Sequence, residues 1–264
     1  MKKTIFTTFI ALMALPVLGT FVSSHAALWG RVGHFITGEI AQEYLNEQAA
    51  ERVNEILGDI TWDEATVWMD VVRRTPEFRH TASWHWVTIP NGMKYEEAEK
   101  NPDGDVIEAT ERKIALLKSG ELSEDDELHA VLMIIHMIGD LHQPLHVGTG
   151  EDRGGNDVRV EWLGRSTNLH SLWDTGLLVS WGMEAPQFAE AINLITPEVA
   201  EEWQSTTVQD WAMESVTYRE AIYDLPEGNV IDWEYRNRNF HIKEKRLLQA
   251  GVRIAGVLND IYGN

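Results

Sequence analysis

The chemistry in this chain is carried by histidine and aspartate. Ten histidines are present and cysteine is absent. His136 and Asp140 lie four residues apart, as do His170 and Asp174, and on a helix each pair leaves the same face. His146 falls between the pairs, just past Pro144. Asp70 is followed one helical turn on by Arg73, His85 lies between Trp84 and Trp86, and His34 follows Gly33. Zinc takes imidazole nitrogens and carboxylate oxygens, and its catalytic sites keep one position open for water. Two helical pairs offer such donors at little entropic cost. The set therefore suits a hydrolytic metal site, and manganese accepts the same donors.

These donors need rigid carriers, and the apolar periodicity is mainly helical. Helices are predicted over 38–57, 61–74, 105–118 and 123–140, then over 170–181, 186–195, 197–223 and 240–262. Gly58 and Gly120 close the first and third. Ser123 followed by Asp126 is a capped start for the fourth, and Gln143-Pro144 ends it. Strand signal is limited to 84–89 and 158–162. The expected class is mainly α, one domain, with at most a small β-hairpin. His142 is expected beside the site or exposed, and His80, His129 and His241 as ordinary surface or core residues. Trp62, Trp68, Trp84, Trp173, Trp203, Trp211 and Trp233 are expected in the core.

The chain has 264 residues with 42 Asp and Glu against 22 Lys and Arg, a formal net charge of −20. That acidity argues against wrapping duplex DNA on a broad basic face. Without cysteine, a disulfide framework, a thiolate zinc site and an iron–sulfur centre are excluded. At the N-terminus, Lys2 and Lys3 precede an apolar run over 5–18, and Ser24-His25-Ala26 offers small residues for a peptidase. This predicts a signal peptide over 1–26, cleaved after Ala26 or Ala27, and an exported domain over 27–264, periplasmic or secreted. No later stretch reads as a membrane anchor.

The run His136-Met-Ile-Gly-Asp140-Leu-His-Gln-Pro144-Leu-His146 is very similar to the signature of the S1/P1 nucleases. Four further segments resemble that family, in its order: Trp29-Gly-Arg-Val-Gly-His34, Val67-Trp-Met-Asp70-Val-Val-Arg73, Arg153-Gly-Gly-Asn156 and Asn168-Leu-His170-Ser-Leu-Trp-Asp174. The lack of cysteine is that of bacterial members. The resemblance implies the phospholipase C/P1 nuclease-like helical fold and three zinc ions. One would take Asp70, His85, His136 and Asp140. A second would share Asp140 and add His34 with the amino group and carbonyl of Trp29. A third would take His146, His170 and Asp174. Arg73 resembles the family's phosphate-contacting arginine, Trp86 the aromatic that stacks on a base, and Asn156 a residue lining the cleft.

The implied reaction is hydrolysis of single-stranded DNA and RNA to 5′-phosphate products by a metal-bridged hydroxide, with 3′-nucleotides as further substrates. Asp70, Arg73 and Asp140 would be its catalytic residues. No protein partner is implied. Trp29 can offer its amine only if cleavage exposes it, and Leu28 is a poor residue before a cleavage point. Thr88 stands where a fungal relative has an acidic residue that binds the base. Two other readings use the same residues: a zinc-dependent phospholipase C, and a non-catalytic zinc-binding protein. No basic amphipathic stretch favours the former, and Arg73 has no purpose in the latter.

Overall fold

The structure is a computed structural model that describes residues 29–263. It is mainly helical, as expected. Helix α1 (Trp29–Tyr44) is followed by α2 (Glu47–Leu57), α3 (Trp62–Val72), α4 (Val106–Ser119) and α5 (Glu124–Leu141). The predicted cap at Ser123 is in place, and two further helices are capped by the residues at which their predicted ranges begin. Thr61 and Glu64 form a reciprocal capping box, Asp105 accepts from Ile107 and Glu108, and Ser123 accepts from Asp126. Gly120 ends α4 in the left-handed region, at φ 66°.

The predicted helix over 38–57 is two helices. Asn46 turns extended and caps α2 through the N–H of Ala49, an alternative to the helix that a short amide side chain offers. The segment 197–223 likewise divides into α9 (Pro197–Gln204), α10 (Val208–Thr217) and α11 (Arg219–Tyr223), with a Thr207–Asp210 capping box at the first break. The region 170–181 is α6 (Leu169–Ser171), a π-turn (Leu172–Gly176) and α7 (Leu177–Val179), and α8 spans Ala185–Ile192. The last helix, α12 (Trp233–Tyr262), begins a full two turns before the predicted start at 240. Its early seam buries Arg236, Asn239 and Lys243, so hydropathy does not reveal it.

Two apolar clusters fill the interior. One is built around α5, with α3, α4 and α10, and the other around α6 to α8 and the first half of α12. Helix α12 runs against α1 and also packs on α5. Trp84, Trp173 and Trp211 are buried and Trp62, Trp68 and Trp203 half-buried, but Trp233 is 51% exposed, contrary to expectation, because it opens α12 at the surface.

Strand content is small and largely where expected. Strands β3 (Arg159–Trp162) and β4 (Arg165–Asn168) form the hairpin, joined by β5 (Val230–Ile231) in parallel with β3. In the segment 84–89, residues up to His85 form a 3-10 turn, Trp86 is extended and only β1 (Val87–Thr88) pairs as a strand. It pairs in parallel with β2 (Val147–Gly148), Val87 opposite Val147. This pair matters beyond its size: it fixes the segment following His85 against the segment following His146. Buried Arg219 locks its end, donating to the carbonyls of Ile89, Val147 and Gly148 and to Asn91 Oδ1. No helix among the described residues is long and apolar enough to cross a membrane.

Candidate metal centre

Eight of the predicted donors converge at one cleft of about 1200 Å³, seven on its floor and His136 buried directly behind them. They fall into three groups: His34, His136 and Asp140; Asp70, His85 and His136; His146, His170 and Asp174. Within each, the donor atoms lie within 4.8 Å of one another. The first two groups share His136 and meet at Asp140. That buried carboxylate lies 2.9 Å from His85 Nδ1, 3.0 Å from His136 Nε2, 3.2 Å from His146 Nδ1 and 3.3 Å from His34 Nε2. His170 Nε2 lies 3.3 Å from Asp174 Oδ2, confirming that this pair shares a face across the π-turn.

The backbone sets how the rings point. His136 Nδ1 donates to the Thr66 carbonyl at 2.7 Å, His146 Nδ1 to the His85 carbonyl at 2.9 Å, and His170 Nδ1 to the Gly154 carbonyl at 2.8 Å. A carbonyl only accepts, so each Nδ1 carries a hydrogen and Nε2 is the nitrogen turned into the cluster, where it offers a lone pair to a metal once any proton on it has left. Orientation of metal-binding imidazoles by such hydrogen bonds is general. Two glycines make room. A Cβ at Gly139 would stand 2.7 Å from His34 Nδ1, and one at Gly154, where φ is 63°, only 2.2 Å from the Leu145 carbonyl oxygen.

Electrostatics agree with this donor set. Burial pushes Asp140 toward protonation, yet His136 and His146 hold its carboxyl well below the usual range. Asp174 is held down likewise by His170 and His146 against its burial. Burial would strip the proton from His146, but Asp140 and Asp174 outweigh it and push its pKa up to about 10. Burial lowers the pKa of His34 and of His85. In both rings one nitrogen is sealed from solvent with no hydrogen-bond partner, Nδ1 in His34 and Nε2 in His85. Ionised carboxylates among convergent imidazole lone pairs, without thiolates, fit a divalent ion such as zinc.

The wall of the cleft has a consistent sign. Arg31, Arg73, Arg74, Arg165, Lys243 and Arg246 line it, and Asp70, Asp140 and Asp174 are its only carboxylates among the described residues. Arg73 holds Asp70 Oδ1 at 3.3 Å, while Arg31, Arg74 and Arg165 form no ion pair among the described residues. Burial lowers the pKa of Lys243 to about 7, against the pull of Asp174. Arg74 and Arg165 escape sequence reading because neither belongs to a donor pattern. Trp86 is half-exposed and lines a neighbouring shallow pocket with Arg79, His80 and Asp103. Asn156 lies on the loop after Gly155, its amide donating to the Arg153 carbonyl at 2.9 Å. Trp29 opens α1, and the predicted cleavage point before it lies outside the described residues.

His142 is not exposed. It is buried behind the cluster, its Nδ1 donating to the Ile138 carbonyl at 2.7 Å and its Nε2 accepting from Arg253 at 2.9 Å. Arg253 and Arg246 both engage Glu214, and Arg246 also donates to the carbonyls of Leu141 and His142. This network holds the end of α5, which carries Asp140.

A mainly helical domain with grouped imidazoles and carboxylates under an arginine-lined cleft has the build of a metal-dependent phosphoester hydrolase. The chain belongs to the S1/P1 nuclease family, whose model matches residues 29–263. It is 30% identical to Endonuclease 4 of Arabidopsis thaliana over 90% of this chain and 91% of that protein. It is 26% identical to Nuclease P1 of Penicillium citrinum, covering 89% and 98%, and 28% identical to Nuclease S1 of Aspergillus oryzae, covering 88% and 91%. The chain is therefore a nuclease, an enzyme of the phosphodiester-hydrolysing class.

Proposed function

We propose that this nuclease is an exported, zinc-dependent endonuclease that cuts single-stranded DNA and RNA to 5′-phosphate products and also accepts 3′-nucleotides. The observation that carries the reading is the placement of three His/Asp groups on the floor of a cleft whose other charges are all cationic. Three zinc ions would be held by Asp70, His85, His136 and Asp140, by His34 and Asp140 with the Trp29 amine and carbonyl, and by His146, His170 and Asp174. Bound there, zinc supplies Lewis acidity and water acidified toward neutral pH.

The chain's own residues do the rest. Asp140 draws four imidazoles to one point and orients the first two groups. Arg73, held by Asp70, binds the phosphate oxygens and stabilises charge that grows on them. Trp86 stacks on an unpaired base and Asn156 lines the approach. Single strands are favoured because the scissile phosphate must reach a recessed floor. The signal-peptide pattern before Ala27 supports export, with cleavage supplying the mature N-terminus.

One assay tests the reading. Purified protein is incubated with single-stranded DNA, RNA and phosphatidylcholine, with and without a chelator. Both nucleic acids are expected to be cut, with loss of cutting on chelation and recovery on adding zinc. Cleavage of the lipid alone, or full nuclease activity after metal removal, overturns it.

The cleft also predicts a short electrostatic footprint. Lys243 and Arg246 are buried, which leaves Arg31, Arg73, Arg74 and Arg165 for the substrate, so the slope of log K against log salt for a non-hydrolysable oligonucleotide should be no steeper than about −3, at about 0.7 per phosphate contact on single strands. Arg165→Ala should reduce it by about 0.7. A much steeper slope, or none lost with Arg165, contradicts this binding mode.

A further inference from the structure

We propose that Gln143 is the positioning residue of the third donor group, acting by tying Asp174 to the turn that carries His146. The inference rests on the metal-centre reading above. Its basis is a pair of short hydrogen bonds from one amide. Gln143 Oε1 accepts from the Leu145 N–H at 2.6 Å, and Gln143 Nε2 donates to Asp174 Oδ1 at 2.7 Å. The direction of the amide is not arbitrary. A backbone N–H only donates, so the oxygen must face Leu145 and the nitrogen must face Asp174.

Both ends of this link are placed where the group needs them. Gln143 caps the 3-10 turn Pro144–His146. Pro144 has no N–H, so the Leu145 N–H is the first donor of that turn, and capping it sets the path of the backbone to His146. Asp174 lies 31 residues away, in the π-turn after His170. The donors of the group therefore come from two separate segments, and Gln143 is the side chain that joins them.

The link also distinguishes the two oxygens of Asp174. Oδ1 receives the amide hydrogen and lies 3.5 Å from His146 Nε2, whereas Oδ2 faces His170 Nε2 at 3.3 Å. The second torsion of an aspartate is broad and two-fold, so without the amide the carboxylate is left to its two longer imidazole contacts and is less narrowly oriented. Gln143 holds it in one orientation and adds no charge. A lysine or arginine at 143 would bring a cation against the ion's place, and a glutamate would set a second carboxylate against Asp174.

Zinc titration of the metal-stripped chain against a chromogenic chelator tests the inference. Wild type, Gln143→Met, Asp174→Asn and the double variant are compared, with far-ultraviolet circular dichroism of each metal-free chain as the folding control. Gln143→Met is expected to weaken one class of zinc site by about 10- to 100-fold and leave the others unchanged, the usual cost of losing a partner that orients a metal ligand. In the Asp174→Asn background the same change should cost nothing further, because Gln143 acts through that carboxylate. Should Gln143→Met fail to fold, Gln143→Glu takes its place, keeping the acceptor for Leu145 while removing the donor to Asp174, with the same loss expected. A titration identical to wild type, or losses that add in the double variant, overturns the role of Gln143. Absence of zinc binding by wild type itself overturns the metal-centre reading instead.

Discussion

Asp140→Asn should reduce nuclease turnover by at least about 10²–10³-fold, the cost of removing one electrostatic group from a preorganised site, and should lower the zinc content of the purified chain. The size follows from its position. Four imidazoles, all those of the three donor groups except His170, come within 3.3 Å of this one carboxylate, which is 4% exposed. Asparagine keeps the shape but removes the charge, and with it one of the two oxygens that the four imidazoles face. Initial rates on single-stranded DNA, zinc content by emission spectrometry, and circular dichroism measured on the same preparations separate chemistry from folding. A folded variant with full zinc and near-normal rates would remove Asp140 from the centre.

The largest stability effect is expected away from the donors, at Glu214. Arg253 grips it through two contacts of 2.7 Å, and Arg246 engages it as well. Both arginines are almost fully buried, and burial lowers the Arg246 pKa to about 10 even with Glu214 opposing it. Glu214→Gln leaves two buried cations without a counter-charge. Breaking such a pair costs about 3–5 kcal/mol. Glu214 is 31% exposed, which points to the lower end of that range. For a domain of this length about 3 kcal/mol corresponds to a fall in Tm of roughly 6–12 °C. The triple change Glu214→Gln, Arg246→Met, Arg253→Met should cost less than the sum of the single changes, because no lone charge remains. Thermal denaturation of the metal-free chain reads both. An unchanged Tm for Glu214→Gln would show that the network contributes nothing.

These two sites differ in how far the sequence reveals them. Asp140 and its neighbours could be read directly, because i, i+4 spacing on a helix translates into a shared face. The cap at Ser123 was legible for the same reason: its chemistry is local. The Glu214 network was not. Its members lie at 142, 214, 246 and 253, no two share a motif, and a buried arginine looks like a surface one until the fold surrounds it. The same holds for Arg219, whose partners are main-chain carbonyls on a strand pair formed between Val87 and Val147. Helix breaks at Asn46 and Thr207 were missed because apolar periodicity runs through them while the caps that divide them are single side chains. Sequence singled out the donors and Arg73, and only the fold showed that Arg31 from α1, Arg74 just past α3 and Arg165 from β4 line the same cleft.

The three ring tethers bear on how this centre tolerates evolutionary drift. Each acceptor, at Thr66, His85 and Gly154, is a main-chain oxygen. A side-chain partner can be lost in one substitution, whereas a carbonyl persists through any replacement that leaves the local backbone path intact. Position 66 can thus change its residue, within the space α1 allows, without releasing His136. The burden on heredity shifts from the identity of supporting residues to the geometry of a helix and two turns. A chain that matches its relatives at only 26–30% identity can in this way keep three imidazoles aimed while most of the surrounding sequence is rewritten.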